Sequence, residues 1–389
     1  MTTRGQSRPI AIAIVGLGFG EDFLPIYQAH PDVGRIGIVD TSRARLDDVG
    51  DRFGIDDRFE RYEDVLASPD WDAVHVLAPV RFHEEYAIAA LEAGKHCASA
   101  VPMATTIAGL EAIIAAQRRS ERVYMMMETS AYGREYLLAK HLYDSGRLGT
   151  VSLYEGFHIQ NLDGYPDYWR GFPPMHYATH ALSPVLALTG ARVARVTARG
   201  SGLLADDRVN SAFDNPYASE VGLFELEDSD VVASITMSFF QTARTYTEGF
   251  NIYGSQMSLE WPAFDSDPLR VFELGPLDPH QPATGLRGRR SLVSDAVFLD
   301  PAEALPADLV RFAEDFEIAP AGGGAAIQKN AEHGGSHPYL VHEFISSIVE
   351  GRAPLVDAAT AAEWTAPGIC AHDSALRRET VEVPRFRPT

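Results

Sequence analysis

Cysteine is nearly absent: Cys97 and Cys370 are the only two in 389 residues. So far apart, they are poor material for a disulfide framework or a cysteine-rich zinc site, and a reduced, cytoplasmic setting is the expectation. Long hydrophobic runs are missing too. The apolar stretch that follows the polar "MTTRGQSRP" stops at Gly16, too short for a signal-peptide core or a membrane span. Basic residues are in deficit, with 33 Lys and Arg against 54 Asp and Glu for a formal charge of −21. Such a surface repels phosphate backbones and anionic lipid, so neither nucleic acid nor membrane is expected as a partner. No internal repeat is visible.

What is present is enough apolar material, 46% of the chain, to fill two cores. The first third alternates short apolar runs with helical patterns: "IAIAIV", "RIGIVD", "DAVHVLAP", "KHCASA" and "RVYMMM". That spacing predicts a parallel sheet wound with crossover helices. Between the third and fourth runs, "HEEYAIAALEAG" puts Tyr86, Ala87, Ala90 and Leu91 on one helical face and ends at Gly94. After about residue 150 the texture becomes alternating, in "VSLYEGFHI", "VGLFELEDSDVVASITMSFF" and "FNIYGSQMSLEW", which predicts antiparallel strands of a second domain. The expected limits are 8–130 and 131–389. Within the second, 262–335 is rich in Pro and Gly, carries the basic "GLRGRR" and the flexible "PAGGGAA", shows little sustained periodicity, and reads as an irregular insertion, lid or partner-contacting arm. Two helices close the chain, "HPYLVHEFISSIVEG" and "AATAAEWTAPGICAHDSALRR", the latter expected to be interrupted at Pro367.

The first apolar run turns into a helix at "GLGFGEDF", where Gly16 and Gly18 let backbone amides approach a pyrophosphate without a Cβ in the way. Gly16, Gly18 and Phe19 are therefore candidate cofactor contacts. Asp40 ends the second run, 22 residues after Gly18, where a carboxylate can accept hydrogen bonds from an adenosine ribose. It would repel a 2′-phosphate, which favours NAD over NADP, although Arg43 is near enough in sequence to complicate the choice. The alternative for Asp40 is a helix N-cap. The usual third glycine is Glu21 here, with Gly20 one position early.

Histidines form two i, i+4 pairs, His176 with His180 in "PPMHYATHALSP" and His333 with His337 in "HGGSH". Four imidazoles can in principle bind zinc, but nothing resembles "HExxH", so no metal is expected. A histidine satisfied by core hydrogen bonds is an equal alternative for His158, His176 and His337.

The stretches "VGLGFGEDFLP", "VDTSRARLDDVGDRFGI" and "DAVHVLAPVRFHEEYAIAALEAGKHCASAVPMATT", together with "FISSIVEGRAPLVDAATAAEWTAPGICAHDSAL" near the end, resemble the glucose-fructose oxidoreductase, inositol dehydrogenase and MocA (Gfo/Idh/MocA) family. The resemblance implies an α/β protein. Its N-terminal Rossmann domain, with a parallel sheet, would be followed by an α/β domain whose open, mostly antiparallel sheet carries the substrate, with the nicotinamide between them. It also implies pairing through the open sheet, as homodimers or homotetramers. Pro79 and His83 resemble the family's cofactor-side step, with Val80 in place of the usual Asn.

Two departures stand out. Dehydrogenases of this family usually carry Glu-Lys-Pro after the fourth run, the lysine relaying the hydroxyl proton, whereas this chain has Ala100, Val101 and Pro102. They also commonly place an aspartate four residues before a catalytic histidine, where this chain has His176 before His180. Val101-Pro102, "MMMETSAYGRE", "YATHALSP" and "HGGS" instead resemble the family's NAD-dependent glycosidase branch. In that branch the tyrosine and histidine of "YATH" belong to the active site, so the resemblance gives Tyr177 and His180 that role, with His176 beside them as a catalytic candidate. His158 and Gln160 fall where the branch has other polar side chains.

Imidazole suits the task, because it titrates unperturbed near neutrality and can take a proton from a sugar hydroxyl. Trp169 and Arg170, in "PDYWRGF", suit a sugar face and a carbonyl or anionic oxygen and are grouped with the cofactor contacts; packing at a domain edge is an equal alternative. Glu128, at the C-terminal end of its strand, belongs with the cofactor side. His158, His333 and His337 are the candidate substrate contacts. The resulting expectation is an NAD enzyme acting on a carbohydrate or glycoside by hydride transfer at a pyranoside carbon, C3 first. Redox-neutral glycoside hydrolysis is the leading version; an NAD-dependent sugar or cyclitol dehydrogenase and a non-catalytic NAD-bound paralogue are the alternatives. No pair of carboxylates flanking a glycosidic bond is identifiable.

Overall fold

The computed structural model describes residues 8–264, 266–276, 289–323 and 325–387. They divide into two compact units. The first comprises residues up to Gly133, Asp300–Ile369 and the C-terminal stretch from Pro384; the second comprises Arg134–Leu299 and Cys370–Val383. A single cut near residue 130 does not reproduce this division, because the chain returns to the first unit at Asp300. The helix His337–Glu350 buries Leu340, Val341, Phe344 and Ile345 there.

The first unit is built on a six-stranded parallel sheet. Its strands are β1 (Ile10–Val15), β2 (Val33–Val39), β3 (Asp57–Phe59), β4 (Ala73–Val76), β5 (His96–Ser99) and β6 (Tyr124–Met126). Their order is β3-β2-β1-β4-β5-β6, the doubly wound arrangement in which the chain reverses between β1 and β4. Five strands coincide with the five apolar runs. β3, only "DRF" and half-exposed, carries no apolar run and is recruited by backbone pairing to β2. β1 is buried along its whole length, as a strand covered by helices on both faces must be. The helix His83–Glu92 buries Ala87, Ala90 and Leu91, and Gly94 follows with φ +73°.

In the second unit β7 (Val151–Ile159), β8 (Val193–Leu203), β9 (Tyr217–Leu226), β10 (Val232–Ser238), β11 (Thr247–Gly254), β12 (Met257–Glu260), β13 (Arg270–Leu274) and β14 (Ser291–Asp295) belong to one sheet. A small antiparallel pair in the first unit, β15 (Phe316–Ile318) with β16 (Ile327–Lys329), precedes β17 (Val381–Glu382) in the chain. β17 completes the nine strands in the order β14-β13-β12-β11-β7-β10-β9-β8-β17. Only β7 and β10 run parallel; the other neighbours are antiparallel. The helix Thr179–Thr189 packs on β7 with Tyr154 Oη donating to the Ala181 carbonyl at 2.7 Å. Gly156 is required at that crossing, because a Cβ there would lie 2.0 Å from the same carbonyl oxygen.

Two expectations are corrected. The helix Ala358–Arg377 runs through Pro367 without interruption, since Ala361, Ala362, Ala366 and Ala371 are all buried and packing outweighs the lost backbone hydrogen bond. The segment 262–335 is not uniformly irregular: β13 and β14 extend the sheet edge, and β15 and β16 pair with each other. Residues 285–288 of "GLRGRR" and Gly324 of "PAGGGAA" lie outside the described residues. Among the described residues no helix is long and apolar enough to cross a membrane.

Candidate functional site

The end of β1 forms a tight backbone cradle. Gly16 sits at φ +92°, and a Cβ there would lie 2.7 Å from the Leu77 carbonyl oxygen, so only glycine fits. Gly18 is exposed, and a Cβ would lie 3.4 Å from the Arg45 guanidinium. At Gly20 a Cβ would meet the Ile14 side chain at 2.8 Å, so this glycine permits close packing of helix on strand despite its early position. Asp40 Oδ2 accepts the Leu17 N–H at 3.0 Å and Oδ1 accepts Ser42 N–H at 2.9 Å. Ser42, not Asp40, caps the following helix through Arg45 N–H. A carboxylate has lone pairs left after two such bonds, so Asp40 can still accept from a ribose. Arg43 is occupied by Asp47 and Glu60, while the arginine beside Asp40 is Arg45, at 3.9 Å.

Other cofactor-side candidates lie at the turns that follow the strands of the first unit. Pro79 precedes a short turn, Val80–Phe82. His83 is buried, with Nδ1 2.8 Å from the Pro102 carbonyl and Nε2 2.9 Å from that of Ala78, tying together the chain beyond β4 and β5. Burial lowers its pKa, while the two carbonyls oppose that shift. Glu128 is fully buried, and its Oε1 accepts Ser130 N–H at 3.0 Å, capping the turn Thr129–Ala131.

Phe19 brings the second histidine pair to the cradle. Its ring meets His333 and His337 edge-on at 6.0 and 5.6 Å, and His337 stacks on Phe23 at 4.4 Å. Burial and the neighbouring His333 hold the His337 pKa well below 6.5. His75, edge-on to Phe23 at 4.8 Å, is held down to about 3 by burial. His333 takes φ +50°, followed by two glycines at +62° and +72°; a Cβ at Gly335 would strike the Ala313 carbonyl.

In the second unit, His158, Tyr177 and His180 come together. His158 projects from β7 and His180 from the first turn of the helix Thr179–Thr189, both buried. Their rings are 6.0 Å apart, and Tyr177 lies 5.8 Å from His158 and 4.8 Å from His180. Between the histidines sits a carboxylate that sequence reasoning missed. Glu248 has Oε2 3.2 Å from His158 Nδ1 and Oε1 3.7 Å from His180 Nδ1, and it accepts a hydrogen bond from Tyr246 Oη at 2.8 Å. His158 Nε2 faces Gln160 Oε1 at 3.1 Å, and Gln160 donates to Tyr165 Oη. With both ring nitrogens facing oxygen acceptors, the arrangement suits a doubly protonated His158 against an ionised Glu248, or a single proton shared between them.

Trp169 packs edge-on against Tyr177 at 5.4 Å, whereas Arg170 is exposed. His176 is not among these contacts; its ring lies 5.1 Å from that of His372. Burial, reinforced by His372, holds its pKa down to about 3. Among the described residues no group of three or more His, Cys, Asp or Glu could hold a metal ion. The cluster is thus a buried set of hydrogen-bonding and ionisable side chains walled by aromatic rings.

A family model described as "Oxidoreductase family, NAD-binding Rossmann fold" matches residues 10–128, and the GFO/IDH/MocA C-terminal domain matches 136–260. The chain belongs to the Gfo/Idh/MocA family. As a member it is an NAD-dependent oxidoreductase, and the glycine cradle with Asp40 fits that cofactor. A "Glycosyl hydrolase family 109 protein" of Streptomyces niveus is 24% identical over 94% of this chain and 74% of its own length. A protein of the same description from Shewanella baltica is 32% identical, but over only 32% of this chain and 30% of that protein. Among solved structures, levoglucosan dehydrogenase in complex with NADH and levoglucosan has a TM-score of 0.74 at 22% identity, covering 97% of this chain and 100% of that one. This last likeness speaks for the fold.

Proposed function

We propose that this family member processes a glycoside through hydride transfer at a pyranoside carbon, C3 first, and that the net reaction is hydrolysis without net redox. The observation that carries the reading is the cluster of Tyr177, His180, His158 and Glu248, which can accept and return a proton in the absence of the family's relay lysine at Val101. Gly16, Gly18 and Asp40 would hold the dinucleotide. When bound, it supplies reversible hydride acceptance.

Tyr177 and His180 take the sugar hydroxyl proton as the carbon is oxidised. Glu248 stabilises the imidazolium so formed and keeps the ring oriented, the part a buried carboxylate plays beside a catalytic imidazole. With a ketone at C3, the C2 hydrogen becomes acidic. Loss of that proton to a base expels the C1 substituent, water adds to the resulting alkene, and reduction of the ketone restores the sugar. Trp169 offers an apolar face to a pyranose beside Tyr177. Other lines of support are the relatives named for a glycosyl hydrolase family and the motifs shared with the glycosidase branch.

We further infer a homodimer or homotetramer. The open sheet face exposes Leu153, Val221, Leu223 and Val232, an apolar area that a second copy would cover. A reduced cytoplasmic setting agrees with both cysteines being free and buried.

The test is mass spectrometry of the purified protein for retained NAD, followed by a panel of aryl glycosides. Steady aglycone release without accumulating NADH supports the hydrolase. NADH accumulating in step with substrate loss replaces it with a sugar dehydrogenase, and NAD retention with no turnover of any glycoside or cyclitol replaces it with a non-catalytic paralogue.

A further inference from the structure

Behind the turn that carries His176 and Tyr177 lies a second buried polar chain. Glu220, on β9, is fully buried. Its Oε2 accepts the Met175 N–H at 2.9 Å, and its Oε1 lies 2.8 Å from His372 Nδ1. An ionised carboxylate only accepts, so His372 carries its hydrogen on Nδ1 and, when neutral, presents a bare lone pair at Nε2. That Nε2 is buried and without a hydrogen-bond partner, and so is His176 Nδ1. The two rings stand 5.1 Å apart at 79°.

An unmet buried acceptor and an unmet buried nitrogen, each costly to leave unpaired, satisfy one another if His176 Nδ1–H donates to His372 Nε2. With the ring centroids 5.1 Å apart, the link is either direct or made through one buried water. Burial keeps His176 neutral, with a pKa near 3, so its ring carries a single hydrogen. Placing that hydrogen on Nδ1 leaves Nε2 as an acceptor.

We propose that Glu220 and His372 are positioning residues that fix the tautomer of His176, so that its Nε2 accepts a hydrogen bond from a sugar hydroxyl. The proposal rests on the sugar-processing reading above. It gives the chain a second proton-ordered branch, Glu220–His372–His176, beside the Glu248 branch that serves His180. Both branches reach the segment Pro174–His180, one anchoring Met175 and His176 and the other meeting His180.

Imidazole ¹⁵N NMR on the wild-type holoprotein tests this without any variant. The expected result is pyrrole-type Nδ1 and pyridine-type Nε2 on both His372 and His176. Glu220→Gln offers a single acceptor oxygen to two donors and should switch His372, and with it His176, to the Nε2–H form. The same variant should lower kcat/KM on the active glycoside about ten-fold or more while retained NAD is unchanged. His372→Phe should change the His176 tautomer in the same direction. A wild-type His176 with its hydrogen on Nε2, or a folded Glu220→Gln variant with unaltered His176 signals, overturns the inference while leaving the glycosidase reading intact. Tautomers as expected with no turnover of any sugar overturn the hydroxyl contact together with that reading.

Discussion

His158 and Glu248 face each other across the β7–β11 pair, directly opposed in register, with Nδ1 and Oε2 3.2 Å apart. Neither side chain is reached by much solvent, so the pair is held by attraction in a medium that screens little. Glu248→Gln removes the negative charge but keeps the shape. The remaining imidazole can shed its proton, so the stability loss should be modest, about 1–3 kcal/mol. Turnover should fall further, by about 10²-fold, because His180 loses the group that favours its protonated form. Parallel denaturant melts and kinetics check this; a turnover loss no larger than the stability loss would remove Glu248 from the proton path.

The cofactor cradle gives a sharper contrast. Gly16→Ala places a Cβ 2.7 Å from the Leu77 carbonyl oxygen at φ +92°, where an L-residue is also strained. Bound NAD should be lost from the purified protein. Asp40→Ala frees the Leu17 N–H and removes the charge that disfavours a 2′-phosphate, so NAD affinity should fall and the preference for NAD over NADP should narrow. Titrating both dinucleotides by fluorescence reads the two effects apart.

How much of this was legible in the sequence depends on the kind of signal. The doubly wound unit follows from apolar runs and glycines, because a strand buried on both faces must be written in apolar residues. β3 escaped because an edge strand of three residues is specified by its neighbour's backbone and not by its own side chains. Tyr177 and His180 came through the family motif. Glu248 did not, although a clue exists: it shares a strand face with Phe250 and Ile252, both buried, and a carboxylate in the apolar register of an alternating strand needs a buried partner. Which partner it finds depends on the register with β7, a long-range relationship that local pattern does not carry. The same holds for Glu220 and His372, 152 residues apart.

Tyr177→Phe deletes one hydroxyl and leaves the ring in its aromatic setting among Trp169, His180 and Phe239. Stability should change little. If that hydroxyl moves the sugar proton, turnover falls by about 10²-fold or more with NAD retention intact. Unchanged single-turnover rates for hydride transfer would assign Tyr177 to packing alone.

The buried histidines make stability depend on pH in a defined direction. Burial holds His75 and His176 down to about 3 and His30, with help from His342, down to about 4, against 6.5 for an exposed imidazole. Each is neutral when folded and takes up a proton when unfolded, so below pH 6.5 the unfolded chain binds more protons and stability falls as the pH drops. Their contribution is fully present above pH 6.5 and is lost progressively down to the folded values. Each group should account for up to about 1.4 kcal/mol per pH unit. Between pH 6.5 and 5 few carboxylates titrate, so urea midpoints in that window isolate the histidines. His30→Gln should flatten the slope by about one proton, since the His30 Nε2 to His342 Nδ1 contact at 3.2 Å no longer has to stay uncharged. Midpoints that stay level from pH 6.5 to 5 would mean that these imidazoles gain access to water and protonate without unfolding.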